Sequence, residues 1–150
     1  MSDSDLIDLY SGRILELAAD IPLANRLDAP DGSARKRSPL CGSTITVDLN
    51  MEGDRIVAFG QDVKACALGQ AAASVVAAHI VGTDIATVQK ARTQLEAMLK
   101  ADGPAPDAPF DELKVLMPAR GFKNRHSSIL LCLEATCAAI DVAKGTPDQA

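Results

Sequence analysis

Lys64-Ala65-Cys66-Ala67-Leu68-Gly69-Gln70-Ala71-Ala72-Ala73-Ser74 divides the chain: strand-like sequence precedes it, helix-like sequence follows it, and a cysteine stands at the join. Ala, Ser and Gly dominate as far as Val75, so a helix here brings its backbone close to whatever it packs against. The first turn of a helix leaves backbone N–H groups unpaired and carries partial positive charge, an environment that suits a nucleophilic or metal-binding sulfur at Cys66. Free cysteine is also among the most buried residue types, so an inert core thiol is the competing reading.

Upstream of this stretch, Ile45, Val47, Leu49 and Met51 alternate with Thr44, Thr46, Asp48 and Asn50, the pattern of a strand with one buried and one wet face. Glu52-Gly53-Asp54 supplies a turn, and Arg55 to Val63 returns with Val57, Phe59 and Val63 on one side, giving an antiparallel hairpin. Such pairing carries Cys41, before the first strand, to the stretch that leads into Cys66. Residues 28–39 are rich in turn formers, include Arg35-Lys36-Arg37 and are expected to form a mobile loop. Before them, Leu6, Tyr10, Ile14 and Leu17 recur at helical spacing between Ser4 and Ala19.

Downstream, the helix from Cys66 is expected to end near Gly82, and Thr83 to cap a second helix over 84–100 with Ile85, Val88, Leu95, Met98 and Leu99 inward. The proline-rich stretch 101–109 excludes regular structure. Phe110 to Met117 predicts a short helix stopped at Pro118, and Ala119 to Asn124 a loop. The last helix is expected to run from Arg125 or His126 to about Ala143, leaving 144–150 frayed.

At 150 residues the chain is expected to be a single domain, 1–150. A net charge of −5 with no Trp and few aromatics argues against nucleic-acid binding. The acidic start Met1-Ser2-Asp3-Ser4-Asp5 lacks the basic and apolar regions of a signal peptide, and no unbroken apolar run reaches the ~18 residues of a membrane span. These features predict a cytoplasmic protein without membrane attachment. There, four irregularly spaced cysteines are free thiols or metal ligands rather than a disulfide framework.

His126 heads the last helix much as Cys66 heads its own, so two helix tips and one strand end point to a common site of Cys41, Cys66 and His126. Thiolates with an imidazole favour zinc or iron–sulfur chemistry over magnesium or calcium. Cys132 is an unlikely replacement ligand, because it lies ~140° around the helix from position 127 and ~7.5 Å along it. Cys137 is expected in the core, and His79 as a surface or satisfied histidine. Ser127 or Ser128 is a poor nucleophile for a His126 base, since adjacent helix residues do not face each other.

The order Cys41-Gly42-Ser43, a hairpin, Cys66 opening an Ala/Ser helix, then His126-Ser127-Ser128-Ile129-Leu130 resembles the scaffold proteins of iron–sulfur cluster assembly, the IscU, NifU N-terminal and SufU family. The likeness runs from Leu6-Ile7-Asp8-Leu9-Tyr10 to the last helix. It implies an α+β fold in which a small three-stranded antiparallel sheet packs against about five helices, with the ligands clustered at one end. It also implies a non-catalytic scaffold that holds iron or a transient Fe–S cluster, or zinc instead, with a cysteine desulfurase and cluster-accepting proteins as partners. Cys41, Cys66 and His126 are the metal ligands that carry over. Ser43 stands where the family has the aspartate of Cys-Gly-Asp, Ala65 replaces the glycine before the second cysteine, and Ser127 occupies the place of the third cysteine. Hydroxyls are weak donors to a soft metal, so Ser43 and Ser127 are substituted ligand positions. Two rival readings accompany the scaffold: a degenerate paralogue acting as a zinc-bound or metal-free regulator, and a sulfur acceptor using Cys66.

Overall fold

The structure, a computed structural model, describes residues 11–39 and 42–145. Helix α1 (Gly12–Ala19) is followed by strands β1 (Gly32–Arg37), β2 (Thr44–Glu52) and β3 (Arg55–Lys64), then by α2 (Ala67–His79), α3 (Ile85–Lys100), a 3-10 helix (Asp111–Gly121) and α4 (Lys123–Ala143). The strands form one antiparallel sheet in the order β1-β2-β3. The Cys41 position, the Leu6 and Tyr10 part of the expected first helix, and the tail from residue 146 lie outside the described residues.

The hairpin forms as its alternation requires, around a turn in which Gly53 takes φ +59°, a conformation glycine adopts without steric cost. Ile45 pairs with Val63, Val47 with Gln61 and Leu49 with Phe59 on the face turned to the helices. A bulge beside Asn50 and Met51 makes Val57 an extra residue, so Ile56 takes the buried place opposite Met51 and Val57 is exposed. This corrects the expectation that Val57 lies inward. Gln61 is fully buried on the same inner face, where its amide donates to Ala73 O on α2 at 3.2 Å.

Within 28–39 the expected loop gives way to an edge strand. Gly32 and Ala34 face inward, small enough for α4 to lie against them, while Ser33, Arg35 and Arg37 point outward. A strand of small and charged residues offers little β-branched or aromatic signal, and its pairing with β2 is what specifies it.

The helix boundaries also shift. Asp84 rather than Thr83 caps α3, accepting from Thr87 N at 2.8 Å. The 3-10 helix runs through Pro118, whose fixed φ suits that geometry, and α4 begins at Lys123, so no loop spans 119–124. The stretch 101–109 has no helix or strand, as expected.

Helix α4 is the centre of the molecule, packed on β1 and β2 on one side and on α2 and α3 on the other. It is long and apolar enough to cross a membrane by composition, although 67% of its most apolar 18-residue window is buried inside the fold. Ile129, Leu130, Leu131, Leu133 and Ile140 join Val75 and Val76 of α2, Leu95 and Met98 of α3 and the inner sheet face in one core.

Candidate metal and sulfur site

At the end of the hairpin where Thr44 pairs with Lys64, the chain leaves β3 through Ala65 and Cys66 and enters β2 through Gly42 and Ser43. Cys66 is the N-cap of α2 with extended backbone, and its side chain makes no capping bond. The thiol is therefore left to what approaches from outside the helix. On the described residues that is Ser128 of α4, whose Oγ lies 3.4 Å from Cys66 Sγ and 3.2 Å from Ser43 Oγ. Ser127, its neighbour, instead bonds Ser38 Oγ at 2.6 Å. Ser38 N donates to Ser43 O at 2.8 Å and Gly42 N donates to Ser38 O at 2.9 Å. These bonds tie Ser38 to Gly42 and Ser43.

Gly69 makes this approach of α4 to α2 feasible. A Cβ there would stand 2.5 Å from Ser128 Oγ and 2.9 Å from the Ala65 Cβ. The small-residue helix thus brings two helix backbones together directly beneath the thiol, and Ser128 is buried with its hydroxyl aimed at it. Sequence reasoning did not single out Ser38, and it considered Ser128 only as a poor nucleophile, not as the neighbour of Cys66. The detectable signal was the coincidence of Gly69, one turn into its helix, with a small polar residue at the head of α4.

His126 is placed differently. It lies in the fourth position of α4, one turn below the tip, and is buried. Its Nε2–H donates to Ala119 O at 2.9 Å and Arg120 O at 3.2 Å, and the ring borders a cavity of about 380 Å³ shared with Leu99, Arg120 and Lys123, whose lining does not include Cys66. The structure brings Cys66 to Ser128 and Ser43, and it holds the imidazole on the 3-10 helix. Cys132 is fully buried in the core beside Gln61, and desolvation pushes its thiol up to about 12. Cys137 is partly buried, packs against the core, and lines a separate cavity with Arg92 and Glu134; burial pushes it up to about 11. His79 is exposed at the end of α2. Among the described residues no three His, Cys, Asp or Glu side chains converge to hold a metal.

Among solved structures, the chain is similar to a nitrogen-fixing NifU-like protein, N-terminal part, from Brucella abortus, at 40% identity over 94% of this chain and 98% of that one, with a TM-score of 0.92. The chain belongs to the NifU N-terminal family of iron–sulfur cluster assembly scaffolds. A putative iron–sulfur cluster assembly scaffold protein for the SUF system from Fervidobacterium islandicum AW-1 shares the fold, with a TM-score of 0.80 and 18% identity over 88% of this chain and 96% of that one. No protein-family profile and no curated protein matches the chain. In this NifU-type domain the sheet end carries one described thiol among neutral hydroxyls. Those residues supply fewer strong donors than the four that close a structural zinc site.

Proposed function

We propose that this chain is a cytoplasmic, non-enzymatic scaffold that holds iron or a transient Fe–S cluster, with zinc as a competing occupant, through the thiolates of Cys41 and Cys66. His126 completes the set when its ring leaves the carbonyls of Ala119 and Arg120. A cysteine desulfurase supplies sulfur, and a cluster-accepting protein removes the product. The observation that carries this reading is the placement of Cys66: a partly exposed thiol at a helix tip, at the sheet end from which the segment bearing Cys41 also departs. Ser43 and Ser128 line its inner side and add hydrogen bonds rather than metal bonds.

The test is anaerobic reconstitution with iron and sulfide, counting both per chain, beside Cys41→Ser, Cys66→Ser and His126→Ala. Either cysteine variant is expected to abolish loading, and His126→Ala to shorten retention against a chelator. Full loading of Cys66→Ser would overturn the proposal.

One observation favours a second reading, in which Cys66 accepts sulfur alone: its described neighbours are hydroxyls and not further metal donors. In that reaction the Cys66 thiolate attacks the outer sulfur of the desulfurase cysteine persulfide. The S–S bond of the donor breaks, its cysteine leaves as thiolate, and Cys66 becomes the persulfide. Transfer of labelled sulfur to Cys66 in the absence of iron distinguishes this from cluster assembly.

A further inference from the structure

The Arg35-Lys36-Arg37 motif has no place in the site described above, yet the fold gives it a defined geometry. As part of β1 rather than a loop, its side chains alternate: Lys36 borders the cavity with Arg92 and Glu134, whereas Arg35 and Arg37 lie on the outer sheet face. The register continues that face across the sheet, from Arg35 through Thr46 to Asp62 and from Arg37 through Thr44 to Lys64. A cavity of about 420 Å³ lies on this face, bordered by Arg26, Arg35, Thr44, Thr46, Asp62 and Lys64. Arg26 is committed to the buried Asp48, but among the described residues Arg35, Arg37 and Lys64 make no ion pair, and all three are exposed. A chain of net charge −5 therefore gathers three uncommitted cations on one face against one exposed carboxylate, Asp62.

Charged residues on an edge strand commonly serve to block strand-to-strand aggregation. That accounts for charge on either edge strand, Arg35 and Arg37 on β1 and Lys64 on β3, but not for its gathering at one end of one sheet face. What the three share is location. Lys64 lies two residues before Cys66, and Arg37 directly precedes Ser38, whose hydroxyl bonds Ser127.

We propose that this end of the outer sheet face docks an extended acidic segment of a partner protein and so holds that partner beside Cys66. Arg35 and Arg37, at alternate positions of a strand, are about 6.7 Å apart along it, the spacing of carboxylates at alternate positions in an extended chain. Lys64 and the Thr44 and Thr46 hydroxyls lie across the strands to meet the next acidic group. The purpose of the docking rests on the site proposed above; the contact itself does not.

The test is an NMR titration of the full chain with a peptide alternating Glu and Ser, beside an alternating Lys and Ser peptide, an oligonucleotide and inorganic polyphosphate. The acidic peptide is expected to shift the amides of 33–37, 44–46 and 62–64, and added salt to reverse the shifts. Combining Arg35→Glu, Arg37→Glu and Lys64→Glu should weaken binding about tenfold or more, the product of three exposed pairs. The corresponding glutamine variants should fall between it and the parent, and they keep the test valid if charge reversal disturbs folding. Scattered shifts, equal affinity in the variants, or tighter binding of the oligonucleotide or polyphosphate at these residues would overturn the proposal. Zinc loading is measured on the same samples: a parent that binds peptide but takes no metal fails the site reading alone, and one that takes metal but no peptide fails the docking alone.

Discussion

Three described thiols occupy three environments, and chemistry should separate them. Cys132, fully buried, has its thiol pushed up to about 12 by desolvation, with the Thr136 hydroxyl opposing; Cys137 is pushed up to about 11 chiefly by burial. Both therefore remain protonated across the physiological range, since a thiol is converted to thiolate only as pH approaches its raised pKa. Iodoacetamide at neutral pH is expected to modify Cys66 well before Cys137, and Cys132 only on unfolding. Mass spectrometry of timed digests checks this, and rapid labelling of Cys132 would show that its burial is wrong. At this scale the sequence separated Cys66 from Cys132 correctly, because helix position alone distinguishes a tip from an interior. It could not show the orientation of His126, which depends on α4 starting at Lys123 and on the carbonyls that the 3-10 helix presents to the ring.

Between elements, the contact that shapes the site is the crossing of α2 and α4 at Gly69 and Ser128. Alanine ordinarily favours a helix over glycine by about 1 kcal/mol, but here its Cβ meets Ser128 and Ala65. Gly69→Ala is expected to lose about 1–3 kcal/mol of stability in urea titrations, because overpacking outweighs propensity. Pairing it with Ser128→Ala should recover part of the loss, and additive costs would mean the two positions do not meet. The sheet provides a second test. Amides of 33–37 should exchange more slowly than those of 101–109, since β1 is paired to β2 whereas the proline-rich stretch has no regular structure. Equal, rapid exchange would restore the loop expected from composition. The hairpin and the helices were legible from periodicity, but β1 was not: its inner face is Gly32 and Ala34, and only a long-range partner makes a strand of them.

Across the whole molecule, two carboxylates withdrawn from solvent, with opposite shifts, contribute to how stability responds to acid. Asp48 stands on the polar face of β2, yet it is fully buried beneath the 26–27 segment. Burial pushes its carboxyl up, but hydrogen bonds from the Arg26 guanidinium, the Ser33 hydroxyl and Leu27 N–H outweigh it and hold the group below its ordinary 3.8. Its contribution is therefore complete above that value and is lost as pH falls through the lower, folded one. Glu134, partly buried beside Cys137, has the reverse sign: desolvation raises it above its ordinary 4.5 despite the opposing charges of Arg92, Lys100 and Lys36. The folded protein binds that proton more tightly than the unfolded chain does, so acidification from neutral pH adds stability until the unfolded group has also protonated. The two effects together predict a stability maximum on the mildly acidic side of neutrality, followed by a gradual fall below about pH 4. Glu134→Gln should raise stability at pH 7 and flatten the rise toward mild acid. Asp48→Asn should cost about 2 kcal/mol at pH 7 and remove part of the acid-side fall. Urea titrations across pH 3–8 on the parent and both variants measure each slope; a parent whose stability declines steadily from pH 7 downward would show that Glu134 does not carry the opposing effect, and an unchanged acid limb in Asp48→Asn would show that other carboxylates govern it.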